Sequence, residues 1–265
     1  MKGTFLSNQV RRGLCLNSCG LVPWILMLAV TACSDVLAIS TRPACPVAAD
    51  ILGSQALPVT RQLVVIGFMG GRVHSNNLVH REARLAQELD QQDPVRVQAF
   101  IFANHDGDAA LRRVLQLLDR NRDGCLSARE KDAARIVIYG HSWGASETIA
   151  LASRLNTLKI PVLLTVQVDS VRKPNEDDGR IPPNVREAIN FYQSEGLLHG
   201  RRTIEAADPK QTTILGNFES TYRINPVSCA GYPWYARAFM RPHIEIENDP
   251  AVWSRIGALI RSKVQ

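Results

Sequence analysis

The sequence predicts an α/β fold, a mostly parallel β-sheet with helices on both faces. Three observations carry the prediction. The chain of 265 residues is 45% hydrophobic and 21% charged, enough to bury a full core. From about residue 61 onward, short apolar, β-branched runs alternate with longer helix-like segments, the pattern of strands joined by crossover helices. Several of those longer segments place apolar residues at i, i+3, i+4 and i+7, which gives a helix one face to bury.

Taken in order, residues 1–32 read as a signal peptide. A basic start is followed by the apolar stretch Leu21 to Val30, which is too short for a permanent membrane span. The stretch ends in Val30-Thr31-Ala32-Cys33, which resembles a bacterial lipobox and implies that Cys33 becomes the lipid-bearing N-terminus. Ordinary cleavage near Ala32 or Ala38 is the alternative. Both readings place the mature protein outside the cytoplasm, either membrane-anchored or secreted to the periplasm or beyond. Residues 33–60, rich in Ala, Pro and small polar residues, read as a tether.

The domain itself is expected over 61–265. Leu63 to Ile66 and Val95 to Ala103 read as strands, with a helix between them over 77–90. Leu111, Val114, Leu115 and Leu118 give the next helix. Arg135 to Tyr139 and Pro161 to Val168 are further strands, separated by a helix that carries Leu151, Leu155 and Leu158. Another helix is predicted from Asn184 to Gly196, with Asn184 as its cap, Glu187 reaching back, and Val185, Ala188, Ile189 and Tyr192 on one face. Thr212 to Leu215 suggests a strand, Ser220 to Arg241 an irregular aromatic segment, and Asp249-Pro250 the start of the last helix.

Charge excludes little and composition excludes more. Lys2, Arg11 and Arg12, all in the signal segment, account for half of the formal charge of +6. With 6% aromatic residues and no basic run beyond pairs such as Arg201-Arg202, nothing supports a nucleic-acid groove.

Gly140-His141-Ser142-Trp143-Gly144 matches the G-x-S-x-G elbow, in which a Ser stands on a sharp strand-to-helix turn. A strand leads in and a helix leads out, which is the context the motif requires. Here the chain resembles the α/β-hydrolase superfamily, specifically its lipase and esterase branch. The resemblance implies a Ser142 nucleophile with an acid and a histidine downstream. His243, in a loop before the last helix, is the expected base; His199 reads as a solvated turn residue. Asp169, at the carboxyl end of the strand after the elbow, is the expected acid, one strand earlier than in most of the superfamily, while Asp177, Asp178 and Asp208 read as surface charges. The Trp143 amide would supply one oxyanion donor. The second would come from Phe68 or Met69 in Gly67-Phe68-Met69-Gly70-Gly71, which resembles the superfamily's oxyanion loop; a plain turn suits those glycines equally.

Residues 119–130 match the twelve-residue EF-hand pattern, inserted before the nucleophile strand. Asp119, Asn121, Asp123, the Cys125 carbonyl, Ser127 and a bidentate Glu130 would hold Ca2+, with no second loop to pair with it. Of the cysteines in the mature domain, Cys45 and Cys229 are the natural bridge, since Cys125 lies inside the calcium motif; three unpaired thiols is the alternative. Together these readings predict an exported serine hydrolase with a structural calcium ion, acting on a small acyl ester and reaching the membrane through its N-terminal lipid. A non-catalytic calcium-dependent binding protein, contacting its partner through Tyr232 to Phe239, is the rival.

Overall fold

A computed structural model describes residues 62–264. The expected signal peptide, the Cys33 lipid site, the tether and Cys45 lie outside the described residues.

In chain order the elements are β1 (Leu63–Met69), α1 (Arg81–Gln92), β2 (Val97–Ala103), α2 (Gly107–Leu118), α3 (Ala128–Asp132), β3 (Ile136–His141), α4 (Trp143–Thr157), β4 (Val162–Val168), β5 (Arg180–Ile181), β6 (Val185–Tyr192), β7 (Glu205–Ala206), β8 (Thr213–Glu219), α5 (Trp234–Phe239), α6 (Arg241–Asn248) and α7 (Pro250–Arg261). Six strands form one sheet in the order β2-β1-β3-β4-β6-β8, and every neighbouring pair is parallel. Strands β5 and β7 pair separately.

The sequence explains this layering directly. In β1, Leu63 and Val65 meet Leu85 and Leu89 of α1 and Trp253 and Ile256 of α7 in one apolar cluster. The alternate residues Val64, Ile66 and Phe68 join Val114 of α2 and Ile149 and Leu151 of α4 in another. Both sheet faces are therefore covered, which is the parallel α/β architecture with helices on both faces that the sequence predicts. Each Val, Leu or Ile so buried contributes about 1.5–3 kcal/mol relative to leaving it in water.

One element is corrected. The helix predicted from Asn184 is instead strand β6, hydrogen-bonded between β4 and β8. Five of its eight residues are buried, and Val185, Ala188, Ile189 and Phe191 fill both sides of the sheet. A short apolar run of this kind fits a 3.6-residue and a sheet pattern equally, and the open slot beside β4 decides it. Asn184 caps nothing there; its amide donates to Ala152 O and Ile160 O.

Smaller differences follow the same logic. Strand β1 continues through Met69, so Phe68 and Met69 are strand residues and the turn begins at Gly70. His243 is not in a loop but in the first turn of α6. Asp178 is buried, donated to by Ser170 Oγ at 2.5 Å and Arg201 Nε at 2.8 Å. Cys229 is a free, buried thiol and Cys125 is disulfide-bonded, so the expected Cys45–Cys229 bridge is not formed. Position in the calcium motif uses only the Cys125 carbonyl, which leaves its sulfur available for a bridge.

Candidate active site

Strand β3 ends at His141 and α4 begins at Trp143, leaving Ser142 alone at the turn with φ 56° and ψ −123°. That backbone is costly for a residue with a Cβ and persists only where its surroundings enforce it. Here the surroundings do so. Ser142 N donates to Val168 O at 2.9 Å, and Ser142 O accepts from the amides of Ala145, Ser146 and Val171. A side chain at Gly140 would strike the Gly144 backbone, and one at Gly144 would strike the Phe68 carbonyl. The two flanking glycines thus allow α4 to start against β1 and β3, and Ser142 sits at the N-terminal end of a helix of fifteen residues. The positive end of that helix favours negative charge nearby.

Asp169 lies one residue beyond β4, also at positive φ (43°), and its carboxylate is fully buried. Oδ1 accepts from Gly200 N at 2.7 Å and Gln193 N at 3.2 Å; Oδ2 accepts from Gln193 Nε2 at 2.8 Å and from His243 Nδ1 at 2.7 Å. Burial alone would raise this carboxyl, but the hydrogen bond and charge of His243 and the Gln193 amide outweigh it and hold the group below its ordinary value. Asp169 is therefore the ionised form, and it fixes the His243 tautomer with the proton on Nδ1, leaving Nε2 as a base. The structure thus brings Asp169 and His243 together. His199 is exposed, away from this contact.

Gln193 is a residue that sequence reasoning missed. It stands just past the end of β6, and its side-chain amide donates to Asp169 at the end of the neighbouring β4. Reading 184–196 as a helix hid this, because only the strand places residue 193 at the sheet's carboxyl edge.

A second buried polar group also went unseen. His80, which precedes α1, and Glu82 in its first turn meet Glu247 of α6. His80 Nδ1 hydrogen-bonds to Glu247 Oε1, and Tyr232 Oη lies 3.4 Å from the same nitrogen. His141 stacks at 4.5 Å between ring centres on His243 and directs Nδ1 towards the two glutamates. Burial pushes His141 down to about 4, so its ring is neutral, and burial with the adjacent Glu247 pushes Glu82 well above the usual carboxylate range. Glu82 Oε1 also accepts from Gly70 N at 3.0 Å, tying this group to the turn after β1. No spacing motif links positions 80, 82, 141 and 247; folding alone unites them.

Of the expected oxyanion donors, Trp143 opens α4 directly after Ser142. Phe68 is paired to both β2 and β3, whereas Met69 is paired to β2 only. A cleft of about 460 Å3 lies beside Trp143, bordered by Arg72, His74, Asn104, His105 and Asp106.

The 119–130 loop is exposed or half-buried and, besides the Cys125 disulfide, is organised by its own side chains. Asp119 accepts from the amides of Asp123 (3.2 Å) and Gly124 (2.9 Å), and Asp123 Oδ1 accepts from Cys125 N at 2.8 Å. Glu130 Oε1 accepts from Arg120 N at 2.9 Å, while Oε2 closes a capping box with Ser127. Among the described residues, no helix is long and apolar enough to cross a membrane. Trp234 (69% exposed) and Phe239 (67%) lie open to solvent on α5.

No protein-family profile matches this chain, and no curated protein does. Solved structures do resemble it at low identity. The RedJ thioesterase of the prodiginine pathway in Streptomyces coelicolor is 9% identical over 80% of this chain and 90% of that one, with a TM-score of 0.40. A hyperthermophilic esterase from the archaeon Pyrobaculum calidifontis is 14% identical over 76% and 77%, TM-score 0.37. A putative YdeN-like hydrolase from Pectobacterium atrosepticum is 14% identical over 78% and 95%, TM-score 0.37.

Proposed function

We propose that this chain is an exported, lipid-anchored serine hydrolase that cleaves a small ester or related acyl bond through Ser142, His243 and Asp169. The observation that carries the reading is the buried 2.7 Å contact between Asp169 Oδ2 and His243 Nδ1, in a fold that also holds Ser142 at a strained strand-to-helix turn. Backbone strain enforced by its surroundings clusters at active sites.

On this reading Ser142 Oγ attacks the substrate carbonyl while His243 Nε2 takes its proton. Asp169 stays ionised and stabilises the imidazolium. The carbonyl oxygen becomes an oxyanion facing the amides of Trp143 and Met69; Met69 is preferred to Phe68 because its β3 side is free of pairing. The tetrahedral intermediate collapses, His243 returns the proton to the leaving alcohol, and an acyl-Ser142 remains. Water then attacks that ester with His243 again accepting a proton, releasing the acid and restoring Ser142. The cleft beside Trp143 would take the substrate; its Arg72, His74 and His105 suit a polar acyl or alcohol group.

Calcium would be held by Asp119, Asn121, Asp123, the Cys125 carbonyl, Ser127 and Glu130, an all-oxygen set that suits a hard cation. Both Asp119 oxygens and Asp123 Oδ1 each spend one lone pair on a backbone amide and keep another, whereas Glu130 Oε2 accepts from both the amide and the hydroxyl of Ser127. When bound, the ion supplies charge neutralisation to the crossover between β2 and β3 and takes no part in acyl transfer. Glu130 would exchange its capping contacts for the ion, which favours the weak affinity typical of extracellular modules. Membrane attachment rests on the Val30-Thr31-Ala32-Cys33 sequence.

The direct test is labelling of the purified protein with a fluorophosphonate probe, with hydrolysis of short-chain nitrophenyl esters alongside. Labelling that disappears in Ser142→Ala supports the reading; absence of both labelling and hydrolysis in the wild type overturns it. Membrane fractionation of Cys33→Ser, with intact mass for the acyl group, tests the anchor.

A further inference from the structure

We propose that His80, Glu82, His141 and Glu247 form a closed site for one divalent transition-metal ion of the zinc class, joining α1, the end of β3 and α6. The inference does not depend on the hydrolase reading.

Geometry comes first. Ligand atoms of His80, Glu82 and Glu247 all lie within 4.8 Å of one another, the single such group of three or more among the described residues. His141 Nδ1 completes a fourth side, 3.4 Å from Glu247 Oε2 and 3.8 Å from Glu82 Oε1. Donors at ~2.0–2.2 Å from a tetrahedral ion stand roughly 3.4 Å apart, close to the two His141 spacings; His80 and Glu247, hydrogen-bonded to each other here, would part to admit the ion.

The hydrogen bonding then asks for a cation. His141 Nε2 lies 3.1 Å from the His243 carbonyl, which only accepts, so the ring proton of a neutral imidazole belongs on Nε2. Nδ1 is left as a bare lone pair facing two carboxylates. It has no hydrogen-bond partner, and neither does Glu82 Oε2; both residues are at least nine-tenths buried. Lone pairs aimed at one another in a dry interior repel, and buried polar atoms without partners cost about 1–3 kcal/mol each. One ion would accept all of them at once.

Chemistry selects the ion. Two carboxylates and two imidazoles neutralise a dication, and imidazole nitrogen favours zinc and its neighbours over calcium or magnesium. Four protein donors, all buried from solvent, favour zinc over magnesium, which keeps several waters. The role is one of positioning. Glu247 lies one helical turn after His243 on α6, and His141 directly precedes Ser142, so the ion would lock the helix bearing the candidate base against the elbow.

The experiment is elemental analysis of the full chain, purified without chelators or a metal-affinity step, followed by melting curves. The expected result is about one zinc-class ion per chain, falling at least about tenfold in the Glu82→Gln/Glu247→Gln double variant and unchanged in Asp119→Asn, which alters only the surface loop. Dipicolinate should lower the melting temperature by several degrees, and zinc, not calcium, should restore it. If the double variant fails to fold, cobalt added to chelator-treated wild type replaces it as the test, with the strong visible absorption of tetrahedral cobalt expected. A metal-free chain whose melting ignores zinc and which gives no cobalt band overturns the proposal and leaves a shared proton between Glu82 and Glu247. Zinc retained by a folded double variant overturns it as well.

Discussion

The Asp169–His243 site and the 119–130 loop are both expected from the sequence, yet they are held in opposite ways. Around Asp169 every contact spans a long stretch of chain: His243, Gln193 and Gly200 arrive 74, 24 and 31 residues later, and all are buried. Apart from the Cys125 disulfide, the hydrogen bonds of the loop are two to ten residues long, all exposed or half-buried. The first arrangement is finished by folding, since its donors are fixed and water is excluded before any substrate arrives. The second is held locally and in solvent, where a cluster of three acids would be eased by a bound cation. Burial is what separates the two.

The sharpest way to break this contrast is Ser142→Ala, which should leave the melting temperature near wild type while ester hydrolysis falls by about 10⁶, as for loss of a nucleophile in a cooperating triad. Survival of hydrolysis would move catalysis away from the buried site. Asp169→Asn comes next. Removing the charge that fixes the His243 tautomer should cost about 10⁴ in kcat and, by mispairing buried donors, about 1–3 kcal/mol of stability; denaturant titration alongside kinetics measures both. Gln193→Leu probes the residue outside both motifs. Losing one of the two donors to Oδ2 should lower kcat roughly 10- to 100-fold with little change in KM, since it acts only through Asp169.

For the loop the expected effects are smaller. Millimolar calcium should add about 0.5–1.5 kcal/mol, a few degrees in the melting curve, with kcat unchanged at low temperature; Glu130→Gln should abolish the increment. Identical curves with calcium and with chelator would reduce the loop to an acidic turn. The least effect belongs to Cys229, whose thiol burial and Glu245 push up to about 11. In the native protein it should react with iodoacetamide at pH 8 far more slowly than in urea, followed by mass spectrometry.

Much of the molecule was legible because local signals and burial agree. The runs around β1 and β3 are apolar on both faces and β4 is so but for Thr165 and Gln167, and the elbow glycines are demanded by backbone contact, so the sheet centre and Ser142 could be read from the sequence. What was missed lies where neighbours decide. Residues 185–192 carry a fair helical face and good apparent caps, and only the vacancy between β4 and β8 makes them a strand. That one error concealed Gln193. The His80, Glu82, His141 and Glu247 group leaves no periodic trace, because its members come from two helices and a strand end far apart in sequence. Asp178 looked solvated for the same reason: its partner Arg201 comes from another loop.

The all-parallel sheet has a kinetic consequence. No two adjacent strands are joined by a hairpin, and the central pairing of β1 with β3 links Val64 to Ile136 across roughly 70 residues of intervening chain. Loop-closure entropy must be met before any strand contact rewards it, so folding should fall on the slow, millisecond-to-second side of the range for single domains. Ser142 acquires its turn only when β3, β4 and α4 are all in place, since its amide is held by Val168 and its carbonyl by Ala145. Recovery of probe labelling during refolding would therefore be a late clock, trailing the return of helical signal by the time the sheet needs to close.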